Sequence, residues 1–263
     1  MLLGALTLAV ATQVDAQRRR LATTADLARP EDFDGQFHFC RVAFASGGGG
    51  RGSAWDVDWP RADINLSIRL AELTRTTISR HPSGDPRNLL IRLTDPELFS
   101  CPFVMMTEVG SAFIRAEEAE RLREYLLKGG FLWADDFWGT SAWTWWEEQI
   151  RGVLPEDEYR IVDLPPSHPL FSSQFVVKQT PQIASINYWY NSGGGTSEQG
   201  PDSADVHTRA IVDRRGHIMV LMTHNTDIGD SFEREADDPT YFLNFSVPGY
   251  AFGVNALLYA MSH

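Results

Sequence analysis

Phe103-Val104-Met105-Met106-Thr107-Glu108, the run Arg115 to Lys128, Gly129-Gly130 and Phe131-Leu132-Trp133-Ala134-Asp135-Asp136 decide the fold. The outer segments are short apolar runs that each end on an acid. Between them Ala119, Leu122 and Leu126 recur at helical spacing, with Glu117, Glu118, Glu120, Arg121 and Arg123 on the other side. Gly129-Gly130 supplies the helix stop. Strand, helix and strand in this order make a parallel pair joined by a crossover helix. Strands this uniformly apolar fit a sheet covered on both faces.

The same alternation extends in both directions. Upstream, Phe37 to Phe44 reads as a strand, and a loop from Ser46 to Trp59 opens with Gly47 to Gly50. A helix is expected from Pro60 or Asp63 to about Thr77, and a strand from Asn88 to Leu93. Downstream, a Trp-rich helix is expected over about 141–151, with Thr144 and Glu147 at capping-box spacing. Tyr159 to Leu164 reads as a strand, and the glycine-rich stretch 191–207 as a mobile loop. Ala210 to Asp213 and His217 to Thr223 form a hairpin, and a helix from about Pro248 to Met261 ends the chain. The expectation is an α/β fold with a mostly parallel sheet and helices on both faces.

Composition narrows the function classes. The 263 residues are 43% hydrophobic and 22% charged, which is globular composition. With 35 acidic and 23 basic residues the net charge is −12. This argues against a nucleic-acid or anionic-membrane surface, both of which need clustered Lys and Arg. No apolar run reaches the length of a membrane span.

Leu2 to Ala11 is apolar, and Val14-Asp15-Ala16 fits a small-x-small cleavage site, so residues 1–16 read as a signal peptide. Residues 17–35 then form an N-terminal extension, and 36–263 a single domain. Arg18, Arg19 and Arg20 directly after the apolar run are atypical of such a leader. Cys40 and Cys101 are the two cysteines, and neither lies in a CxxC. Two separate buried thiols are the preferred reading. A disulfide is the alternative if their strands are parallel neighbours, with Cα atoms within about 7 Å.

Ligands of such sheets bind beyond the carboxyl ends of the strands. That rule selects the loop after Phe44, Thr107-Glu108, Asp135-Asp136 and His224-Asn225. Asp135, Asp136, Glu108 and His224 are therefore the catalytic candidates, as base, acid or metal ligand, with turn capping as the alternative role of the aspartates. Asp58, Trp59, Trp138, Asn225 and Asp227 are the ligand-binding candidates. Trp133, Trp143 and Trp146 are read as core. Asp227, Asp230 and Glu233 fit either a loop that folds acids to one point or a solvated acidic loop, and the latter is preferred. No zinc, EF-hand, P-loop or dinucleotide pattern is present. No metal ligand is assigned and no cofactor expected, a divalent cation being the one allowed addition.

Several motifs resemble one family. They are Asp58-Trp59-Pro60-Arg61-Ala62-Asp63, Leu93-Thr94-Asp95-Pro96-Glu97-Leu98, Ala134-Asp135-Asp136-Phe137-Trp138-Gly139, His168-Pro169-Leu170-Phe171, His224-Asn225-Thr226-Asp227 and Gly253-Val254-Asn255-Ala256. Together they resemble the bacterial "domain of unknown function 4159" family over about residues 36–262. The resemblance implies a flavodoxin-like, class I glutamine amidotransferase-like three-layer sandwich, often exported, and no particular reaction. In amidotransferases a sharp turn after a strand carries a nucleophilic Cys, and a later strand ends at a His. Here Asp135 or Asp136 would occupy that turn and His224 the place of the His. No Cys lies near either, which argues against glutamine amidotransfer.

Two functions follow as expectations. The preferred one is a non-catalytic, periplasmic binding module of the cell envelope that holds a small molecule, a glycan or an envelope protein. The alternative is a hydrolase using Asp135 or Asp136, Glu108 and His224, with or without a divalent cation.

Overall fold

The structure is a computed structural model that describes residues 27–47 and 54–263. The leader at 1–16, most of the extension at 17–35 and the loop tip Gly48 to Arg51 lie outside the described residues.

Seven strands form the main sheet: β1 (Phe39–Val42), β3 (Asn88–Ile91), β4 (Val104–Thr107), β6 (Leu132–Phe137), β7 (Ile161–Asp163), β8 (His207–Val212) and β9 (Ile218–His224). The short β2 (Ala45–Ser46) and β5 (Ala112–Phe113) pair separately. The main-sheet order is β3-β1-β4-β6-β9-β8-β7. The first five run parallel, and β8 and β7 add an antiparallel edge. The expected mostly parallel α/β sheet is present, and so is the hairpin, formed by β8 and β9.

Side chains alternate between two cores. In β4, Val104 and Met106 face one core and Met105 the other; in β6, Leu132 and Ala134 oppose Trp133 in the same way. Helices α2 (Ala116–Leu127) and α3 (Gly139–Val153) cover the first face through Leu122, Leu126, Trp146 and Ile150. The second is covered by α1 (Arg61–Leu73), α5 (Ile228–Glu233) and α7 (Val247–Ser262), through Leu66, Leu70, Phe232 and Phe252. Between these lie α4 (Ile186–Asn191) and α6 (Pro239–Tyr241), which runs into α7 through a π-helical stretch. Gly129 at φ +96° ends α2, as its sequence position predicts. Among the described residues no helix is long and apolar enough to cross a membrane.

Three expectations need correction. First, Cys40 and Cys101 form a disulfide, with Cα atoms 6.1 Å apart. β1 pairs β4, and the 3-10 turn Pro96–Ser100 carries Cys101 back toward Cys40. That turn was not legible as structure in the sequence. Second, Thr144 and Glu147 do not start the Trp-rich helix, which begins at Gly139. Its first N–H groups donate to the side chains of Asn225 (2.8 Å from Gly139 N) and Asp202 (2.8 Å from Thr140 N). Third, 191–207 is not a loose loop. Ser203 Oγ accepts from Gln199 N, Gly200–Ser203 is a 3-10 turn, and Asp202 holds α3.

Candidate functional site

The carboxyl edge of the parallel strands carries an unusual backbone. Asp58, Glu108, Asp136 and Asn225 are the non-glycine residues with positive φ among those described, at 61°, 50°, 55° and 64°. Left-handed backbone costs a non-glycine residue energy, and it persists only where surrounding contacts impose it.

At Asp136 the cause is a β-bulge. The pairing of β6 with β9 shifts register between Ala134 and Phe137. Strict alternation would send Asp136 toward the core that holds Ala134, and Phe137 away from it. The extra residue lets Phe137 keep that core and frees Asp136 from the ladder. The two aspartates diverge as a result. Asp135 is fully buried; it accepts from Thr223 Oγ1 and from Gly229 N (3.1 Å), joining β6, β9 and α5. Burial pushes its carboxyl up to about 7 against those hydrogen bonds. Asp136 accepts from Trp138 Nε1 at 3.0 Å and lines a crevice. The two residues do not sit on a turn after the strand, as expected, but inside β6.

That crevice has a volume of about 690 Å³. Asp58 and Trp59 enter from the segment before α1, Arg61 from its first turn, Glu108 from the end of β4, Asp136 from β6, Glu198 from the loop after α4, and Asp227, Asp230, Glu233 and Arg234 from α5 and its ends. Carboxylates dominate. Burial holds the carboxyls of Asp58, Asp136 and Asp227 far above the usual range, and their mutual charge adds to it: Asp230 and Glu233 act on Asp58, Glu108 and Asp58 on Asp136, Asp136 and Asp58 on Asp227. Glu108 is raised by partial burial and by Glu198.

The Asp227–Asp230 segment is not a solvated loop. Asp227 caps α5 by accepting from Asp230 N at 2.8 Å, and both aspartates are buried. Asp230 also accepts from Tyr241 Oη and Ile186 N, at 2.8 and 2.7 Å. Carboxylate oxygens of Asp58, Asp227 and Asp230 lie within 4.8 Å of one another. Asp230 was legible only as part of an acidic run. Its pairing with Asp58, 172 positions away, had no sequence signal. Beneath the crevice Arg41 is wholly buried, chelated by Asp63 and donating to Thr107 Oγ1 at 2.8 Å. An arginine inside the largely apolar strand segment Phe37 to Phe44 is the sequence signal for this buried pair.

Not every candidate converges. Glu108, Asp136, Asp58, Trp59 and Asp227 line the crevice. Trp138 reaches it through Asp136. His224 does not line it. Its ring stacks on Phe137 (4.8 Å between centroids) and leans on Trp143 and His207. Its Nε2 lies 3.0 Å from the Gly139 carbonyl, and Nδ1 lies 3.3 Å from Arg209 Nη1. Asn225 is consumed as a strut, accepting from Gly139 N and donating to the Asp205 carbonyl at 2.8 Å. Trp133 and Trp146 are fully buried core, and Trp143 packs against it, as expected.

Besides Glu233 Oε2, which has only its ion pair with Arg234 Nε at 2.7 Å, two polar atoms at the crevice residues remain without a hydrogen-bond partner, the buried Oδ2 of Asp58 and the indole N–H of Trp59. One is an acceptor and one a donor, so the site can meet both kinds of ligand group.

A family model described as "Domain of unknown function (DUF4159)" matches residues 38–261. No curated protein matches the chain. The chain belongs to the DUF4159 family.

Proposed function

We propose that this member of the family is a non-catalytic ligand-binding module of the cell envelope that works through the acidic crevice. The observation that carries this reading is the left-handed backbone of Asp58, Glu108 and Asp136, three carboxylates that line one cavity. Backbone strain gathered around a cavity marks a site the fold maintains for something other than its own stability. The crowd of acceptors selects a donor-rich ligand, carrying hydroxyl or ammonium groups, such as a glycan, a muropeptide or the polar end of an envelope protein.

Supporting arguments come from elsewhere in the chain. Both cysteines are in the disulfide, so no thiolate is left for amidotransfer. A disulfide is at home in an oxidising compartment, which favours the periplasm. Counting only the parallel strands in chain order, the sheet runs 2-1-3-4-5, the order of flavodoxin-like folds. This supports the amidotransferase-like sandwich as the finer description.

A second reading, a hydrolase, rests on Asp136 and Glu108. Burial and then the charge of Glu108 raise the Asp136 carboxyl, the condition that keeps one carboxyl protonated as an acid beside another that is ionised as a base. Asp135 and His224 drop out of that mechanism, since the first is consumed between strands and the second faces away.

The test is a thermal-shift and calorimetric panel of glycans, muropeptides and polyamines against the wild type and Glu108→Gln, with product analysis of each mixture. Binding without turnover, weakened by the substitution, is expected. Turnover would favour the hydrolase. A panel with no binder sinks both readings.

A further inference from the structure

We propose that Asp58, Asp227 and Asp230 form a site for a hard divalent cation of the calcium or magnesium class, to which the crevice ligand adds its own oxygens. The inference deepens the reading above and rests on the same crevice.

Three carboxylates alone would not carry it, since acids gather on many surfaces. Here each is more than nine-tenths buried, Asp58 being 7% exposed and Asp227 and Asp230 each 4%. Their ligand oxygens lie within 4.8 Å of one another. A cation about 2.0–2.6 Å from each oxygen spans such a gap. The independent observation is Asp58 Oδ2, which is buried in the cavity wall and has no hydrogen-bond partner. A buried carboxylate oxygen without a donor is costly unless a positive charge meets it.

Among the described residues no arginine or lysine forms a hydrogen bond or ion pair with Asp58 or Asp227, and Arg61, in the cavity wall, reaches Asp237 at 3.6 Å instead. Arg41 is taken by Asp63 and Thr107. Arg234 reaches Asp230 Oδ1 at 3.3 Å and also pairs with Glu233 and Asp237. Asp227 uses Oδ1 for the α5 cap, which leaves Oδ2 for a ligand. The donor set is all oxygen, with no His or Cys, which selects calcium, magnesium or manganese over zinc or copper. Three protein ligands leave several coordination positions open toward the cavity. Water fills them in the free protein, and ligand hydroxyls can replace it.

The geometry also explains Gly229. A Cβ there would stand 2.5 Å from Asp58 Oδ2 and 3.5 Å from Asp227 Oδ1. Only a glycine lets α5 bring its carboxylates so close to the segment before α1.

The experiment strips the purified chain with chelator. It then titrates calcium, magnesium and manganese by calorimetry, and terbium by luminescence excited through tryptophan, Trp59 being in the cavity wall. One ion per chain and a rise in the thermal midpoint are expected. Asp58→Asn should lower the affinity at least tenfold. Should that variant not fold, Asp227→Ser keeps a helix-capping oxygen while removing the carboxylate, and should show the same loss. Absence of stoichiometric binding up to about 1 mM, the weak end for extracellular calcium modules, overturns the proposal. So does binding that both substitutions leave unchanged. Cation binding without any organic ligand would overturn only the earlier reading. Organic ligands bound equally well with and without cation would overturn only this one.

Discussion

Gly229 presses against Asp58: a methyl group added at Gly229 would lie 2.5 Å from the Asp58 carboxylate. The contact joins the N-terminus of α5 to the segment before α1, beside the acidic crevice that Asp58 lines. Gly229→Ala should leave the fold intact, because the clash falls on the end of a side chain. It should cost roughly 1–3 kcal/mol, the range for overpacking a buried site. It should also weaken ligand binding at least tenfold by turning the Asp58 carboxylate away. Calorimetry and denaturant midpoints check both. Unchanged binding would show that Asp58 does not need its present position.

The disulfide should dominate resistance to unfolding. Cys40 and Cys101 are 61 positions apart. Closing a loop of that length stabilises by about 4 kcal/mol in the chain-entropy account. The double variant Cys40→Ala with Cys101→Ala should lose most of that, read from urea midpoints. The wild type purified from an oxidising compartment should show no reactive thiol before or after unfolding. Two titratable thiols in the unfolded protein would refute the bond.

Much of this architecture is legible in local pattern, because β4, α2 and β6 each bury a face whose period shows in the chain. The rule that ligands gather at strand ends also selects Glu108 and Asp136, which both line the crevice. What escaped it depends on distant partners. The bulge at Asp136 exists because Phe137 keeps its core position, which no local spacing reveals. The caps of α3 come from Asn225 and Asp202. His224 ends an apolar strand as expected, yet the antiparallel neighbour β8 brings Arg209 and His207 beside its ring and holds it outside the crevice. The strand direction of β8 was readable as a hairpin, but the side its residues present was not.

Asp136→Asn separates the site from its scaffold. The carboxyl is raised by burial and then by Glu108 and Asp58, so its charge opposes folding. An amide keeps an acceptor for Trp138 Nε1, and Asn tolerates the left-handed backbone at φ 55°. Stability should be unchanged or higher by about 1 kcal/mol. Binding of the crevice ligand should fall at least tenfold. Lower stability with unaffected binding would reduce Asp136 to a partner for Trp138.

His224 should give the protein a distinct acid sensitivity. Its ring is buried between Phe137, Trp143 and His207. Nδ1 faces the Arg209 guanidinium, which can only donate, so the network assigns the proton to Nε2, donating to the Gly139 carbonyl. A second proton would sit against the guanidinium. Burial, opposed by the Gly139 carbonyl and reinforced by Arg209 and His207, lowers the pKa from 6.5 to about 4; Asp202 acts weakly the other way. The sign follows directly. Between those values the unfolded chain binds the proton and the folded one does not, so stability falls as pH drops through 6.5 and stops falling below about 4. The full loss is roughly 3 kcal/mol. His224→Gln keeps a donor for Gly139 and removes the titration. Denaturant unfolding of both proteins at pH 7.5 and 4.5 gives the comparison. The wild type should lose about 2–3 kcal/mol more than the variant over that interval. The crevice carboxyls titrate in the opposite direction but do so in both proteins, so their contribution cancels. Equal losses would mean that folding leaves the imidazole pKa at its unfolded value.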